Sequence, residues 1–392
     1  MRKTVEKAAT VVVALAVIAV FQACGSKDRE ETAGAGDYPV KIEVVDGVRT
    51  ILNPAFPKEG VVHYALEEEL VMGGEGEGTE SVLNRPYSLE VDAQGNVYVL
   101  DWGDVDIKVF GPDGRLLRTI GRKGQGPGEF DIPADFILSA DGRIFLLSGR
   151  QRRISLLDIA GNFISSFTVT GFCSGLAVDR SNRVYSSQML APDAGEIGGD
   201  FQLIQNRMAL IRTDEKGQET TKLGEYPDVT MLRKVEKSGE GLSSQSFSSR
   251  ESYRTSWLVG PDDRVYLGYN KDYRLDVYDP EWNLLFRFGR DFTPIRHPHY
   301  KPDGAHPEFY PAFSDWRKFF DEEGNLWLQQ YVEKGDEEFA YDVFTPEGIY
   351  LRQVRVPRNL MLVRGDKGYG VFRTEDEFLD VKRFRLSRQK SG

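Results

Sequence analysis

Short apolar runs separated by polar turns dominate the chain from about residue 40 onward. The clearest stretch holds four runs, each long enough for one β-strand: Ser88–Asp92, Asn96–Asp101, Asp106–Phe110 and Arg115–Gly121. β-Branched and aromatic residues fill these runs, and Gly, Pro, Asp and Asn fill the segments between them. The pattern predicts a unit of four antiparallel strands.

This unit recurs along the chain. The turn between its first and second strands ends at six positions: Gly95, Gly142, Asn182, Asp263, Gly324 and Lys367. The turn between its third and fourth strands is found at five: Gly111–Gly114, Asp158–Asn162, Thr213–Gly217, Asp279–Asn283 and Thr345–Gly348. The shorter spacings match one four-stranded blade of a β-propeller, and the longer ones indicate insertions.

The sixth unit ends before a fourth strand, which would leave an open sheet edge. Leu70–Gly73 parallels Arg118–Gly121, so we expect an N-terminal strand to complete blade six. Val97–Leu100 is apolar on both faces, as expected for blades that pack face to face. The sequence therefore predicts an all-β, six-bladed β-propeller whose ring is closed by an N-terminal strand. Residues 40–52 are expected to form a hairpin on its outside.

The segment Ile107–Phe130 resembles the NHL-type six-bladed β-propellers, especially the propeller lipoproteins common in Bacteroidetes. The resemblance extends over residues 40–390 and implies the fold. It implies little about activity, because propellers of this type include binding scaffolds, lyases and lactonases.

The N-terminus has the pattern of a secretion signal. Basic residues precede the apolar run Ala8–Phe21, which is shorter than the about 20 residues of a membrane-spanning helix. Ala23-Cys24 resembles a bacterial lipobox, which implies cleavage before Cys24 and acylation of its thiol, for example with palmitate. We expect a signal peptide at 1–23, a flexible tether at 24–37 and the propeller at 38–390. An uncleaved anchor helix is the alternative.

Composition narrows the possible partners. The net charge is −11, whereas binding to a phosphate backbone requires surplus Lys and Arg, so we expect no nucleic-acid partner. Two cysteines exclude a disulfide scaffold. We expect a monomer in the bacterial cell envelope, at the outer membrane and either periplasmic or surface-exposed, that contacts the membrane through its lipid anchor alone.

Two groups of residues are candidates for metal binding: aspartates that could bind calcium and histidines that could bind zinc or copper. The aspartates Asp92, Asp141, Asp179 and Asp321 begin turns, where we expect them to accept backbone N–H groups rather than bind calcium. His297, His299 and His306 lie in one Pro-rich segment. They could bind zinc or copper, or they could belong to a polar surface loop. Related lyases place catalytic histidines on several blades, so we expect no cofactor, with calcium or zinc as the alternative.

The candidate binding residues lie in loops after the second strands of the blades, where loops from all blades converge. They combine aromatic and charged side chains: Trp102, Asp104, Arg150, Arg152, Lys271, Tyr273 and Tyr331. Insertions are expected at about 188–206, 225–256 and 291–314. The second and third are expected at the same end of the propeller, and the second is expected to be a long loop without strands. Rims of this composition suit a protein partner or a small polar ligand.

These observations favour a lipid-anchored envelope protein that binds an unidentified envelope protein or small polar ligand through the loop-rich face. The alternative is a metal-dependent hydrolase or lyase of the lactonase or amidating-lyase type.

Overall fold

The computed structural model describes residues 38–74, 81–198, 201–238, 241–247, 251–301, 306–315, 317–331, 338–374 and 378–389. These residues form strands, turns and loops, and the architecture is all-β. Within them, no helix has the length and apolar character needed to cross a membrane. The predicted signal peptide, Cys24 and the tether lie outside the described residues.

The described chain begins with three strands: β1 (Lys41–Val45), β2 (Val48–Asn53) and β3 (Val61–Met72). Blade one follows as β4 (Pro86–Val91), β5 (Val97–Asp101), β6 (Asp106–Phe110) and β7 (Leu116–Ile120). Blade two consists of β8 (Pro133–Leu138), β9 (Ile144–Ser148), β10 (Arg153–Leu157) and β11 (Phe163–Thr168). Sequential strands pair antiparallel within each blade, as predicted.

Blade three has two additional strands. Its strands are β12 (Cys173–Val178), β13 (Val184–Met189), β14 (Asp193–Gly198), β15 (Phe201–Thr213), β16 (Thr220–Ser238) and β17 (Gly241–Phe247). The blade runs in the order β12-β13-β15-β16-β17, and β14 pairs with β15.

Blade four contains β18 (Thr255–Val259), β19 (Val265–Tyr269), β20 (Arg274–Tyr278) and β21 (Leu284–Arg290). Blade five contains β22 (Lys318–Phe320), β23 (Leu326–Gln329), β24 (Phe339–Phe344) and β25 (Tyr350–Val356). Blade six contains β26 (Leu362–Arg364), β27 (Lys367–Arg373), β28 (Leu379–Arg388) and, as its fourth strand, β3. The fold is a six-bladed β-propeller with four-stranded blades.

The core consists of apolar clusters between neighbouring blades. In β5, Val97 and Val99 face the cluster shared with blades five and six, whereas Tyr98 and Leu100 face the cluster shared with blade two. All five residues of β5 are buried. Face-to-face packing therefore explains why the second strands are apolar on both sides.

Turn chemistry follows the repeat. Gly95, Gly142, Asn182, Asp263 and Gly324, which end the first turns of blades one to five, all have positive φ. That conformation is accessible to Gly and tolerated by Asn and Asp, which accounts for the residue types at these positions.

The turn aspartates behave as predicted in three of four cases. A carboxylate oxygen of Asp92, Asp179 and Asp321 accepts two backbone N–H groups within its own turn. The prediction is wrong for Asp141, whose oxygens accept from side chains. In that turn the hydroxyl of Ser139 accepts a backbone N–H instead.

Strand β3 closes the ring, as predicted. Its residues Tyr64–Met72 pair antiparallel with β28, and Val61–His63 pair parallel with β25 of blade five. Glu69 in β3 accepts hydrogen bonds from Lys367 and Arg383 of blade six at 2.7 and 3.1 Å. These pairings join the first described strands to the last two blades.

The predicted N-terminal hairpin is also present, formed by β1 and β2 on the outer edge of blade four. The side-chain amide of Asn53, at the end of β2, is buried between blades four and five. It donates to the carbonyls of Gly289 and Gly348, and its oxygen accepts the N–H of Tyr350, all at 2.8 to 2.9 Å. One side chain therefore fastens the hairpin to two blades.

The expected loop at 225–256 is wrong for most of its length. Residues of this segment continue β16 to Ser238 and form β17. Part of the 188–206 insertion is also a strand pair, β14 with β15. These strands are held together by backbone pairing. Their polar, Ser-rich sequence lacks the apolar alternation by which a strand is recognised, and the sequence therefore did not predict them.

We expect Asn53→Ala to lower the free energy of unfolding by about 2–4 kcal/mol, because three buried backbone groups lose their partner. Chemical denaturation measures the effect. The control is Asn162→Ala, which removes an amide that pairs with Asp158 on an exposed turn and should cost less than about 1 kcal/mol. Equal effects of the two substitutions would contradict the assigned role of Asn53.

Candidate functional site

The candidate site occupies one end of the propeller, where first strands begin and second strands end. We call this end the insertion face. The segment between β21 and β22 lies on it, because the N–H groups of Ala312 and Ser314 donate to Asn270 and Gln329, at the ends of second strands. The extensions of β15 and β16 in blade three begin at the same end.

Two predicted binding residues lie in the β5–β6 loop. Trp102 is 37% exposed, and the guanidinium of Arg85 stacks 4.6 Å from its ring centroid. Asp104 accepts from Lys108 at 2.5 Å and from the amide of Asn84. Hydrogen bonding to Lys108 and Asn84, opposed by partial burial, lowers the pKa of Asp104. Trp102 is therefore accessible to a partner, whereas the Asp104 carboxylate is hydrogen-bonded to side chains in and beside its own loop.

The three predicted cations are exposed on the insertion face. Arg150 and Arg152 lie in the β9–β10 loop, and Lys271 lies in the β19–β20 loop. Arg150 is 3.9 Å from the carboxylate of Asp131. Arg150 and Asp131, together with Gln151 and Arg153, line a shallow depression at the crossing between blades one and two.

The prediction that Tyr273 is a surface binding residue is wrong. The side chain is 4% exposed, its hydroxyl donates to Asp342, and Arg290 lies 4.3 Å from its ring centroid. Burial, together with the negative charge of Asp342, raises the pKa of the Tyr273 phenol well above its usual value. The ring turns inward because Asp342, itself fully buried, needs donors.

Sequence reasoning missed two carboxylates on the innermost strands. Burial raises the pKa of Glu90 in β4 to about 7, since the neighbouring Arg364 offsets only part of the desolvation. Burial likewise raises the pKa of Asp135 in β8 to about 6. Asp135 accepts the N–H of Leu176 in blade three at 3.1 Å, so it also links adjacent blades. Only the packing of first strands around the propeller axis reveals these carboxylates.

Exposed apolar side chains on the insertion face were also missed. The first three blades present four of them in addition to Trp102: Tyr87 (50% exposed), Ile132 (40%), Phe172 (52%) and Met189 (48%). Ile132 has φ of 51°, which is unusual for a β-branched residue and marks a strained backbone. The signal available in the sequence was an apolar residue at or beside the end of a strand, which does not distinguish a surface anchor from a core residue.

The histidine segment forms a cluster with a residue from another loop. Ligand atoms of His297, His306 and Glu251 lie within 4.8 Å of one another. The rings of His297 and His306 stack with centroids 4.4 Å apart. His299 is exposed, and its ring centroid is 5.7 Å and 6.1 Å from the other two. Of the three predicted histidines, two therefore converge, and Glu251 was missed because it is distant in sequence.

The predicted residue Tyr331 lies beside this cluster. Its hydroxyl donates to Glu251 at 3.1 Å, and its ring stacks on Tyr310 with centroids 4.2 Å apart. Tyr331 also lines a small cavity with Arg254, Asn270 and Asp315. Apart from the buried Tyr273, the predicted binding residues therefore occupy separate regions of one face, in blades one and two and over blades four and five.

Comparisons with known proteins agree with the fold. Residues 77–233 match a family model described as DUF5128, 6-bladed beta-propeller. No curated protein matches the chain.

Solved structures similar to this chain include two from Bacteroides. A Bacteroides fragilis protein described as exported is 12% identical over 84% of this chain and 100% of its own, with a TM-score of 0.48. A DUF4221 protein of Bacteroides vulgatus is 11% identical over 83% and 98%, with a TM-score of 0.47. Virginiamycin B lyase from Staphylococcus aureus is 13% identical over 83% and 100%, with a TM-score of 0.43. At these identities and TM-scores, the similarity gives no information on the activity of this chain.

We expect Glu90→Gln to stabilise the protein at pH 8. The folded state raises the pKa of Glu90 to about 7, so ionisation opposes folding, and wild-type stability falls relative to the variant as pH rises from about 4.5 to 7. The melting temperature of the variant should exceed that of wild type by about 2–4 °C at pH 8 and converge on it near pH 4. Glu347→Gln, in an exposed turn, controls for loss of a surface charge. A constant difference between Glu90→Gln and wild type at both pH values would contradict the assignment.

Proposed function

We propose that this chain is a lipid-anchored binding protein of the cell envelope and that its insertion face docks a protein partner. The observation that carries the proposal is the set of exposed apolar side chains on that face in blades one to three: Tyr87, Trp102, Ile132, Phe172 and Met189. They lie in loops and at strand ends of three neighbouring blades, and we propose that together they form the docking surface.

The chemistry of this surface favours a protein over a small ligand. Aromatic residues, Met and Arg are enriched in protein interfaces, where a few of them contribute most of the binding free energy. Trp102 already has Arg85 over its ring, which limits its conformational freedom before binding. The neighbouring depression at Arg150 is shallow and polar, whereas small-molecule sites are usually deep and largely apolar.

The strands behind these loops give the face rigidity. Residues of β5 and β9 are completely buried, and Trp102 and Arg150 follow them within two residues. Because the loops are short, partner contacts would cost little ordering entropy.

We expect the double substitution Trp102→Ser and Phe172→Ser to weaken partner binding at least tenfold without lowering the melting temperature. The matched control is Leu117→Ser with Ile164→Ser, which removes two exposed apolar side chains from the outer strands β7 and β11. The measurement is chemical crosslinking in intact cells, followed by quantitative binding of the purified crosslinked partner to each variant.

Loss of binding in the first variant and retention in the control would support the proposal. Equal binding by both variants would overturn the assigned face, and failure of the wild-type protein to crosslink to any envelope protein would overturn the docking function.

The anchor is a separate part of the proposal and rests on the sequence around Cys24, which resembles a lipobox. Several acyl chains give stable membrane attachment, because each buried CH₂ contributes about 0.8 kcal/mol. We expect labelling with tritiated palmitate in the wild-type protein and its loss in Cys24→Ser, measured in whole cells. Substitution of the other cysteine, Cys173→Ser, is the control and should retain the label. Label that persists in Cys24→Ser would exclude the anchor.

A further inference from the structure

Three metal-binding side chains converge on the insertion face over blades four and five. Glu251 comes from the loop before β18, and His297 and His306 come from the segment between β21 and β22. Their ligand atoms lie within 4.8 Å of one another. We propose that Glu251, His297 and His306 form a zinc site that fastens the two loops together.

The donor set selects the class of metal. Two imidazole nitrogens and one carboxylate oxygen suit zinc and other borderline transition metals, whereas calcium and magnesium prefer all-oxygen sites. Three protein ligands leave the fourth tetrahedral position for water. The side chains of His306 and Glu251 are 39% and 26% exposed, so solvent can reach the cluster.

The surroundings hold the ligands in place. His297 is 4% exposed, and its ring packs 4.6 Å from that of Tyr310. Tyr310 stacks on Tyr331, whose hydroxyl donates to the Glu251 carboxylate. Such outer hydrogen bonds orient metal-binding carboxylates in known sites. Two stacked tyrosines therefore contact both His297 and Glu251.

Zinc binding requires two local changes. In a tetrahedral site with bonds of about 2.0–2.1 Å, ligand atoms lie about 3.3 Å apart, so the cluster must contract by about 1.5 Å at its widest. In addition, Nδ1 of His297 accepts the N–H of His299 at 3.0 Å, and a neutral imidazole has one lone-pair nitrogen. Binding at the ring replaces this hydrogen bond, and because His299 is exposed, water can accept its N–H.

The test uses the full chain, purified in detergent and stripped with a chelator. We expect isothermal titration with ZnCl₂ to give one zinc per chain and zinc to raise the melting temperature. Glu251→Gln, His297→Ala and His306→Ala should each weaken zinc binding at least tenfold. His299→Ala is the matched control on the same loop, since its side chain is outside the cluster and its backbone N–H is unchanged, and it should bind zinc like wild type.

A second readout distinguishes the site from surface histidines. Cobalt(II) in a tetrahedral site gives strong visible absorption, which we expect in wild type and in His299→Ala but not in Glu251→Gln. Glu251→Gln keeps the shape of the side chain, and an unchanged metal-free melting temperature shows that it is folded. The proposal is overturned if wild type binds no stoichiometric zinc, or if His299→Ala weakens binding as much as His297→Ala. Either result leaves docking by blades one to three untouched.

Discussion

The pairing of β3 with the last two blades is the interaction on which the propeller depends. A blade is a small twisted sheet that buries both faces against its neighbours, so the first and last blades of an open ring would each leave an apolar face in water. Residues Tyr64–Met72 supply the fourth strand of blade six, and Val61–His63 continue onto blade five. Glu69 adds ion pairs to Lys367, Arg383 and Arg385 across this seam. Backbone hydrogen bonds between distant parts of the chain thus complete the core.

Closure separates the parts of the molecule that specify the fold from the parts available for function. The apolar residues of the second and third strands are buried in clusters between blades. Short turns rich in Asp and Gly occupy the end of the propeller opposite the insertion face. The loops of the insertion face are left with side chains that the core does not need, such as Trp102 and Phe172. A rigid scaffold with variable loops at one end is the arrangement on which binding sites commonly develop.

Long-range packing also creates the unusual ionisable groups. Glu90 and Asp135 lie on the first strands of neighbouring blades, where burial favours their protonated forms. Asp342 is fully buried and compensated by Arg290, Tyr273 and Tyr350 from blades four and five. Glu251 approaches His297 and His306 because both loops cross the same face. The surroundings of each of these carboxylates come from blades or loops that are distant in sequence, so the closed ring determines their ionisation and pairing.

The sequence by itself determined the blade count, the turn residues, the outer hairpin and the closing strand, because each rests on a local signal. Gly, Asn and Asp recur where the backbone needs positive φ, and short apolar runs recur where strands are buried. It also placed Trp102, Arg150 and Tyr331 at the end of the propeller where second strands finish, since strand direction fixes which loops share a face. Only the tertiary structure decided that Tyr273 turns inward to Asp342, that residues 220–238 and 241–247 form strands, and that Glu251 joins two histidines. Those outcomes depend on partners far away in sequence, and burial, side-chain direction and charge pairing are properties of the assembled ring rather than of any local pattern.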